Sequence, residues 1–330
     1  MNGSQYDLGI DIGGTKCAVI LGKRSGDGMQ MPEIVARTAF DTIKDNTYQS
    51  TLDRLFEEIR SLLSSKQVSL SSVGGIGISC GGPLDSKTGY ILSPPNLPGW
   101  DEVPVTKLVH EAFGIPCFLQ NDANACALAE WKWGAAKGTE HAVFLTFGTG
   151  MGAGLILNGF LYEGASGLAG ETGHIRLASN GPVGFGKAGS FEGFCSGGGI
   201  VEILKTLLLE EWQKGNRPAV CPDRESLTLL TTKKAAAAAS EGDALCLKAF
   251  QISALHLGRG LSLLIDLLNP EVIVIGSVFA RARPLFEETM LGVIEEETLP
   301  VSRKACRIVP AALGDAIGDY AALSIAQKGG

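Results

Sequence analysis

A strand–glycine turn–strand unit occurs twice in this chain, and no other feature restricts its possible folds as much. YDLGIDIGGTKCAVIL and HAVFLTFGTGMGAGLIL each join two apolar runs through a glycine-rich turn that carries a threonine, Thr15 and Thr149. The two units lie about 135 residues apart. A single glycine hairpin is commonplace. Two of them, each opening a stretch in which strands alternate with amphipathic helices, point to two α/β domains facing each other across a cleft. Composition agrees: 45% hydrophobic and 19% charged residues suit packed cores. The length of 330 residues exceeds the usual span of one domain. Glycine, at 44 residues, stands near twice its usual share with no collagen-like period, so it serves turns or close ligand approach.

The other elements follow from periodicity. YDLGIDI, KCAVILG and PEIVARTAF read as strands, and residues 47–65 space Leu52, Leu55, Phe56, Ile59, Leu62 and Leu63 as one helix face. VGGIGISC and IPCFL read as buried strands, with VTKLVHEAFG between them as a short helix closed by Gly114. Later come a long helix over DALCLKAFQISALHLGRGLSLLIDLLN, the strand EVIVIGS, a helix over 278–296 and a last helix from Asp315. The alanine run in KKAAAAAS favours helix and carries no chemistry.

Net charge is −7, from 28 basic and 35 acidic residues, with no basic block, which argues against non-specific nucleic-acid binding. Eight cysteines include no CxxC pair, and several, such as Cys80 and Cys117, sit in apolar runs as small hydrophobes. A reduced, cytoplasmic chain is expected, without membrane contact: MNGSQYDLGI is no signal region, and no apolar stretch nears about 18 residues.

The turns suggest phosphate chemistry. Asp11-Ile12-Gly13-Gly14-Thr15-Lys16 places a carboxylate at a strand end, then bare backbone whose N–H groups can converge on a phosphate. Asp11 is suited to hold Mg²⁺ through water. Gly148-Thr149-Gly150-Met151-Gly152 offers a second set of donors. Neither turn matches GxxxxGK[ST]. GTGMGAG runs from strand to strand rather than into a helix, which excludes a dinucleotide-binding fingerprint. Two ordinary glycine hairpins are the plain alternative.

Asn121-Asp122-Ala123-Asn124-Ala125 follows a strand and opens a helix. At a strand end, Asp122 can take a proton from a hydroxyl that attacks a phosphoryl group. It can equally be an N-cap, and the readings are compatible if Asn121 caps instead. Glu171, His174 and Glu192 form a further polar group among dense glycines, which suggests a shaped loop. Spacing alone does not separate a binding role from a structural one for them.

Taken together, DIGGTK, GGP, PNLPGW, NDANA, FGTGMGAG, GETGH and EVIVIGS resemble the ROK family of sugar kinases and repressors, in order and over nearly the whole chain. The resemblance implies an actin-like, ribonuclease-H-like α/β fold with ATP between two domains, and transfer of the γ-phosphate to a hexose hydroxyl, usually the 6-OH, with Asp122 as base. It implies sugar contacts from Asn121, Asp122, Glu171, His174 and Glu192, with Asn96, Gly81 and Gly82 as additions. Gly13, Gly14, Thr15, Lys16, Gly148, Thr149 and Gly150 would hold phosphates, and Gly276 would flank the adenosine. The last helix would return to the first domain, giving an N-terminal domain of 1–120 plus 315–330 and a C-terminal domain of 121–314. A homodimer is also expected.

One departure stands out. Similar proteins carry three cysteines after the GH pair that join the histidine in a zinc site; here Val183, Phe185 and Ser190 occupy those places. One histidine and the lone Cys195 cannot make four-coordinate zinc, so no structural zinc is expected. The loop VGFGKAGSFEGF would then be held by apolar packing of Val183, Phe185, Phe191 and Phe194. The reading is an ATP- and Mg²⁺-dependent hexose kinase, most simply acting on glucose. An N-acetylhexosamine or other hexose acceptor remains an alternative, as does polyphosphate as donor. A sugar-responsive regulator without kinase activity would need a DNA-binding helical module before the first strand, where only a few residues stand. An actin-like filament or chaperone-type ATPase would leave the sugar-side residues without a role.

Overall fold

The structure is a computed structural model that describes residues 5–25, 30–44 and 47–327. The principal strands in chain order are β1 (Tyr6–Ile12), β2 (Lys16–Ser25), β3 (Gln30–Asp41), β4 (Val73–Cys80) and β5 (Cys117–Asn121). They continue with β6 (Ala142–Leu145), β7 (Ala153–Leu157), β8 (Val183–Gly184), β9 (Lys187–Ala188), β10 (Val272–Ile275) and β11 (Arg307–Pro310). The helices that matter here are α1 (Gln49–Ser65), α2 (Val105–Phe113), α3 (Asp122–Trp133) and α4 (Gly197–Gln213). They are followed by α5 (Ala244–Leu268), α6 (Ser277–Ala282), α7 (Glu287–Glu297) and α8 (Ile317–Ala326). No helix among the described residues is long and apolar enough to cross a membrane.

The chain forms two compact units, one of residues 1–138, 154–169 and 312–330, the other of 139–153 and 170–311. In the first, the sheet order is β3-β2-β1-β4-β5, antiparallel among β1 to β3 and parallel across β1, β4 and β5. One sheet face is covered by α1, α2 and the buried Trp100 through Leu52, Leu55, Ile59, Val105 and Val109. The other face takes α8, and glycine makes that close approach possible. A Cβ on Gly77 would lie 2.2 Å from the Ala322 carbonyl oxygen, and one on Gly75 would lie 2.3 Å from that of Ala326. Helix α3 packs beside α8, with Lys132 Nζ donating to the Ser324 carbonyl at 3.0 Å. The fully buried Glu130 accepts the N–H groups of Ala135 and Leu313, tying the end of α3 to the entry of α8.

These contacts explain why the units divide elsewhere than at 120/121. The β5–α3 junction falls there in sequence, yet α3 is packed against α8 and groups with the first unit, as do residues 154–169.

In the second unit β6, β10 and β11 pair in parallel, with β10 in the middle and its four residues buried on both faces. Helix α5 starts at Asp243, whose carboxylate accepts the Cys246 N–H, and stops at Asn269 in left-handed conformation. Phe286 packs edge-on against Phe147 and Phe250, with ring centroids 5.4 and 5.3 Å apart. The single helix expected over 278–296 is in fact two. Arg283–Leu285 form a 3-10 turn between α6 and α7, because Pro284 has no N–H to continue an α-helix. The last helix begins at Ile317 rather than Asp315, after a 3-10 turn over Gly314–Ala316.

Candidate functional site

In the first unit the parallel strands end together. Asp11 is in register with Ser79, Ile12 with Cys80, and Cys80 with Asn121, so Asp11, Gly81, Gly82, Asn121 and Asp122 gather at the C-terminal edge of β1, β4 and β5. Open α/β sheets place their ligands at that edge. The Gly13–Thr15 turn is closed by the Gly13 N–H donating to the Lys16 carbonyl at 3.0 Å and by Thr42 Oγ1 donating to the Gly13 carbonyl at 2.6 Å. Asn96 backs against this turn, since a Cβ on Gly14 would fall 2.6 Å from the Asn96 carbonyl oxygen. Thr15 and Lys16 project as exposed side chains. Gly82 lies beside Asn121, with 3.4 Å between the position of a Cβ there and Asn121 Nδ2; around Gly81 such a Cβ would meet open space.

Asn121 caps α3, its Oδ1 accepting the Ala123 N–H at 3.0 Å. Asp122 Oδ1 shares that N–H at 2.8 Å. The Asp122 carboxylate is open to solvent yet crowded by protein. Loss of hydration raises its pKa, and the Ala123 N–H partly offsets this. Behind the motif stands a network the sequence did not reveal. Gln120, 1% exposed, accepts from the Asn121 N–H at 2.8 Å and Asn124 Nδ2 at 3.2 Å, and donates to Glu163 at 3.0 Å.

A second feature missed from sequence is the start of α8. A Cβ on Gly318 would sit 3.7 Å from Asp11 Oδ2, and Asp319 forms a two-oxygen ion pair with Arg37 at 2.9 and 3.0 Å. Burial pushes Asp11 up from 3.8 to about 7; the charges of Asp122 and Asp319 add to this, and Arg37 opposes it. This fits Asp11 to a cation, because a divalent ion would supply the countercharge the pocket lacks.

The raised value has a consequence for stability. Between pH 3.8 and about 7 the folded protein keeps a proton on Asp11 that the unfolded chain releases, so stability falls as pH rises through that window. Asp11→Asn has no charge to bury. Without nucleotide or Mg²⁺ it is expected to match wild type near pH 3, below the unfolded value, and to exceed it at pH 8, on the order of 2 kcal/mol after allowing for partial exposure. Denaturant unfolding at the two pH values checks this; parallel pH dependence in both proteins would contradict it.

In the second unit the Thr146–Gly152 loop closes on itself. The Thr146 N–H donates to the Gly152 carbonyl at 2.9 Å, and the Gly152 N–H to Thr146 Oγ1 at 2.8 Å. Two helix starts flank it. The Gly197 N–H at the start of α4 donates to the Gly148 carbonyl at 2.8 Å, and a Cβ on Gly148 would lie 3.7 Å from Ser277 Oγ, at the start of α6. Gly276 is buried, its N–H donating to the Leu145 carbonyl at 3.0 Å. Thr149 is exposed. Glycine turn and helix N-terminus together form a setting for anions. The contribution of Gly197 and Ser277 was not recognisable in the sequence.

Glu192 and the segment that carries Glu171 and His174 pack against the same loop. Gly173 packs onto it, since a Cβ there would be 2.2 Å from the Met151 carbonyl oxygen, and Glu192 Oε2 accepts the Met151 N–H at 3.0 Å. Glu171 is exposed and His174 half-buried.

The expected apolar packing of the 183–194 loop holds only in part. Phe191 and Phe194 are buried, but Val183 is 62% and Phe185 is 74% exposed. Backbone bonds hold the segment instead: β8 pairs with β9, the Gly189 N–H donates to the Pro182 carbonyl, and Phe191 N–H to Ile175 carbonyl. Ser190 is buried and caps the short helical turn Phe191–Phe194.

Known proteins resemble this chain over nearly its whole length. The model of the ROK family matches residues 7–329. The glucokinase of Thermotoga maritima is 29% identical over 97% of both chains. A ROK family glucokinase from Streptomyces griseus, solved in complex with glucose and AMPPNP, superposes with a TM-score of 0.75 at 26% identity, covering 98% of this chain and 100% of that one. A ROK family transcriptional regulator, a homologue of the E. coli MLC protein, superposes with a TM-score of 0.82 at 26% identity, covering 98% of this chain and 78% of that one.

Proposed function

The chain belongs to the ROK family and has its actin-like ATPase fold, and from that premise we propose that it is an ATP-dependent hexose kinase acting on the 6-OH of glucose. The observation that carries this reading is the division of labour at the start of α3. Asn121 takes the helix cap, which leaves the exposed Asp122 carboxylate at the edge of the parallel strands. A carboxylate so placed accepts the hydroxyl proton as the sugar oxygen bonds to the γ-phosphorus and the bond to the departing ADP breaks. Its raised proton affinity favours that acceptance.

The backbone of Gly13–Gly14 and of Gly148–Gly150, with the α4 N-terminus, is proposed to hold phosphate oxygens. Asp11 would hold Mg²⁺ through water; when bound with the nucleotide, that ion neutralises phosphate charge. Gly276 would flank the adenosine, and Glu171, His174, Glu192, Asn96 and Asn121 the sugar. The glucokinase from Streptomyces griseus, bound to glucose and AMPPNP, supports both ligand classes for this chain.

A second reading, a sugar-responsive regulator without kinase activity, draws support from the TM-score of 0.82 with the transcriptional regulator. An ADP-release assay across glucose, mannose, fructose, N-acetylglucosamine and N-acetylmannosamine separates the two. The kinase reading expects ADP release that depends on one of these sugars. Sugar binding with no release from any of them favours the regulator.

A further inference from the structure

We propose that Phe185 is a positioning residue that fixes the ring of His174 for sugar recognition. This rests on the sugar-kinase reading of His174, but the contact itself is in the structure. The rings of His174 and Phe185 meet edge to face, with centroids 5.1 Å apart and planes at 80°. Such geometry sets a preferred ring orientation.

The position of Phe185 makes no sense for stability alone. The two-residue connection between β8 and β9 is Phe185–Gly186, with φ of 42° and 75°. Positive φ at both central residues is the signature of a tight hairpin turn that asparagine or aspartate followed by glycine fills without strain. Phenylalanine at that place is a conformational outlier, and its side chain is 74% exposed, so little burial repays it. Its ring contact in the structure is His174.

The hairpin that carries Phe185 is tied to the His174 segment at several points. Lys187 Nζ donates to the His174 carbonyl oxygen at 2.7 Å, and Arg176 Nη1 to the Ala188 carbonyl oxygen at 2.6 Å. The Leu177 N–H donates to the Gly189 carbonyl at 2.8 Å. These bonds hold the hairpin to the histidine's segment, so the aromatic ring is set against the imidazole.

The test is Phe185→Asn, which suits the turn better, beside Phe185→Tyr, which keeps the ring. The four histidines of the chain allow the His174 imidazole signals to be assigned by NMR. In Phe185→Asn, thermal stability is expected to hold or rise and the His174 signals to shift. Glucose KM and Kd should rise by about 3- to 10-fold, the worth of one aromatic contact, with the KM for ATP unchanged. Phe185→Tyr should restore both the signals and the sugar affinity. Unchanged His174 signals in Phe185→Asn, or unchanged sugar affinity despite shifted signals, would overturn the proposal. Wild-type protein that binds no hexose would instead defeat the sugar-kinase reading, while the NMR comparison would still report on the ring contact.

Discussion

Asp122→Asn is expected to lose at least about 100-fold in kcat, the lower end for removal of a general base, while retaining sugar affinity within a few-fold. The asparagine can still share the Ala123 N–H through its oxygen, so the start of α3 and the cap by Asn121 survive. It cannot accept a proton. The effect should therefore appear in kcat and in kcat/KM alike, with glucose Kd from calorimetry nearly unchanged. Turnover close to wild type would remove Asp122 as the base.

Gly13→Val is expected to weaken ATP by at least about tenfold, the scale of losing one hydrogen bond to a charged group, and to leave sugar affinity intact. A Cβ there would be 2.8 Å from the Lys16 carbonyl oxygen, and that contact is with backbone, so the turn itself must open. Gly150→Val behaves differently. Its Cβ would meet Glu192 Oε2 at 2.7 Å, so it displaces a side chain proposed for the sugar and should weaken both ligands. Calorimetry on each variant distinguishes these outcomes. Intact nucleotide binding in Gly13→Val would contradict the phosphate role of that turn.

How much of this was legible in the sequence depends on how far apart the cooperating residues lie. DIGGTK, NDANA and GTGMG are contiguous, and the chemistry proposed for them is readable because turn, carboxylate and helix start follow one another in a few residues. The supports of these motifs are distant. Glu163 braces Gln120 from 43 residues away, and Asp319 meets Arg37 from 282 residues away, so no local pattern announces either. Gly318 beside Asp11 is a consequence of α8 lying on the first sheet, which only the packing reveals.

Two departures from expectation have local signals in the sequence. Pro284 is the local signal for the break between α6 and α7. Without zinc ligands the loop is expected to be held by packing of Val183 and Phe185, whereas the Phe-Gly pair forms the turn between two short strands and both residues are exposed. Hydrophobicity predicts burial on average, and a tight exposed turn is where that average fails.

The central claim, that this chain moves a phosphoryl group from ATP to a sugar, is tested most directly by following ³¹P NMR of the purified protein with Mg-ATP and glucose. The account predicts a sugar phosphomonoester signal, coupled to the C6 protons, growing in step with ADP and absent when either sugar or Mg²⁺ is withheld. ATP that stays intact with every hexose, or that yields only inorganic phosphate whether or not sugar is present, would contradict it.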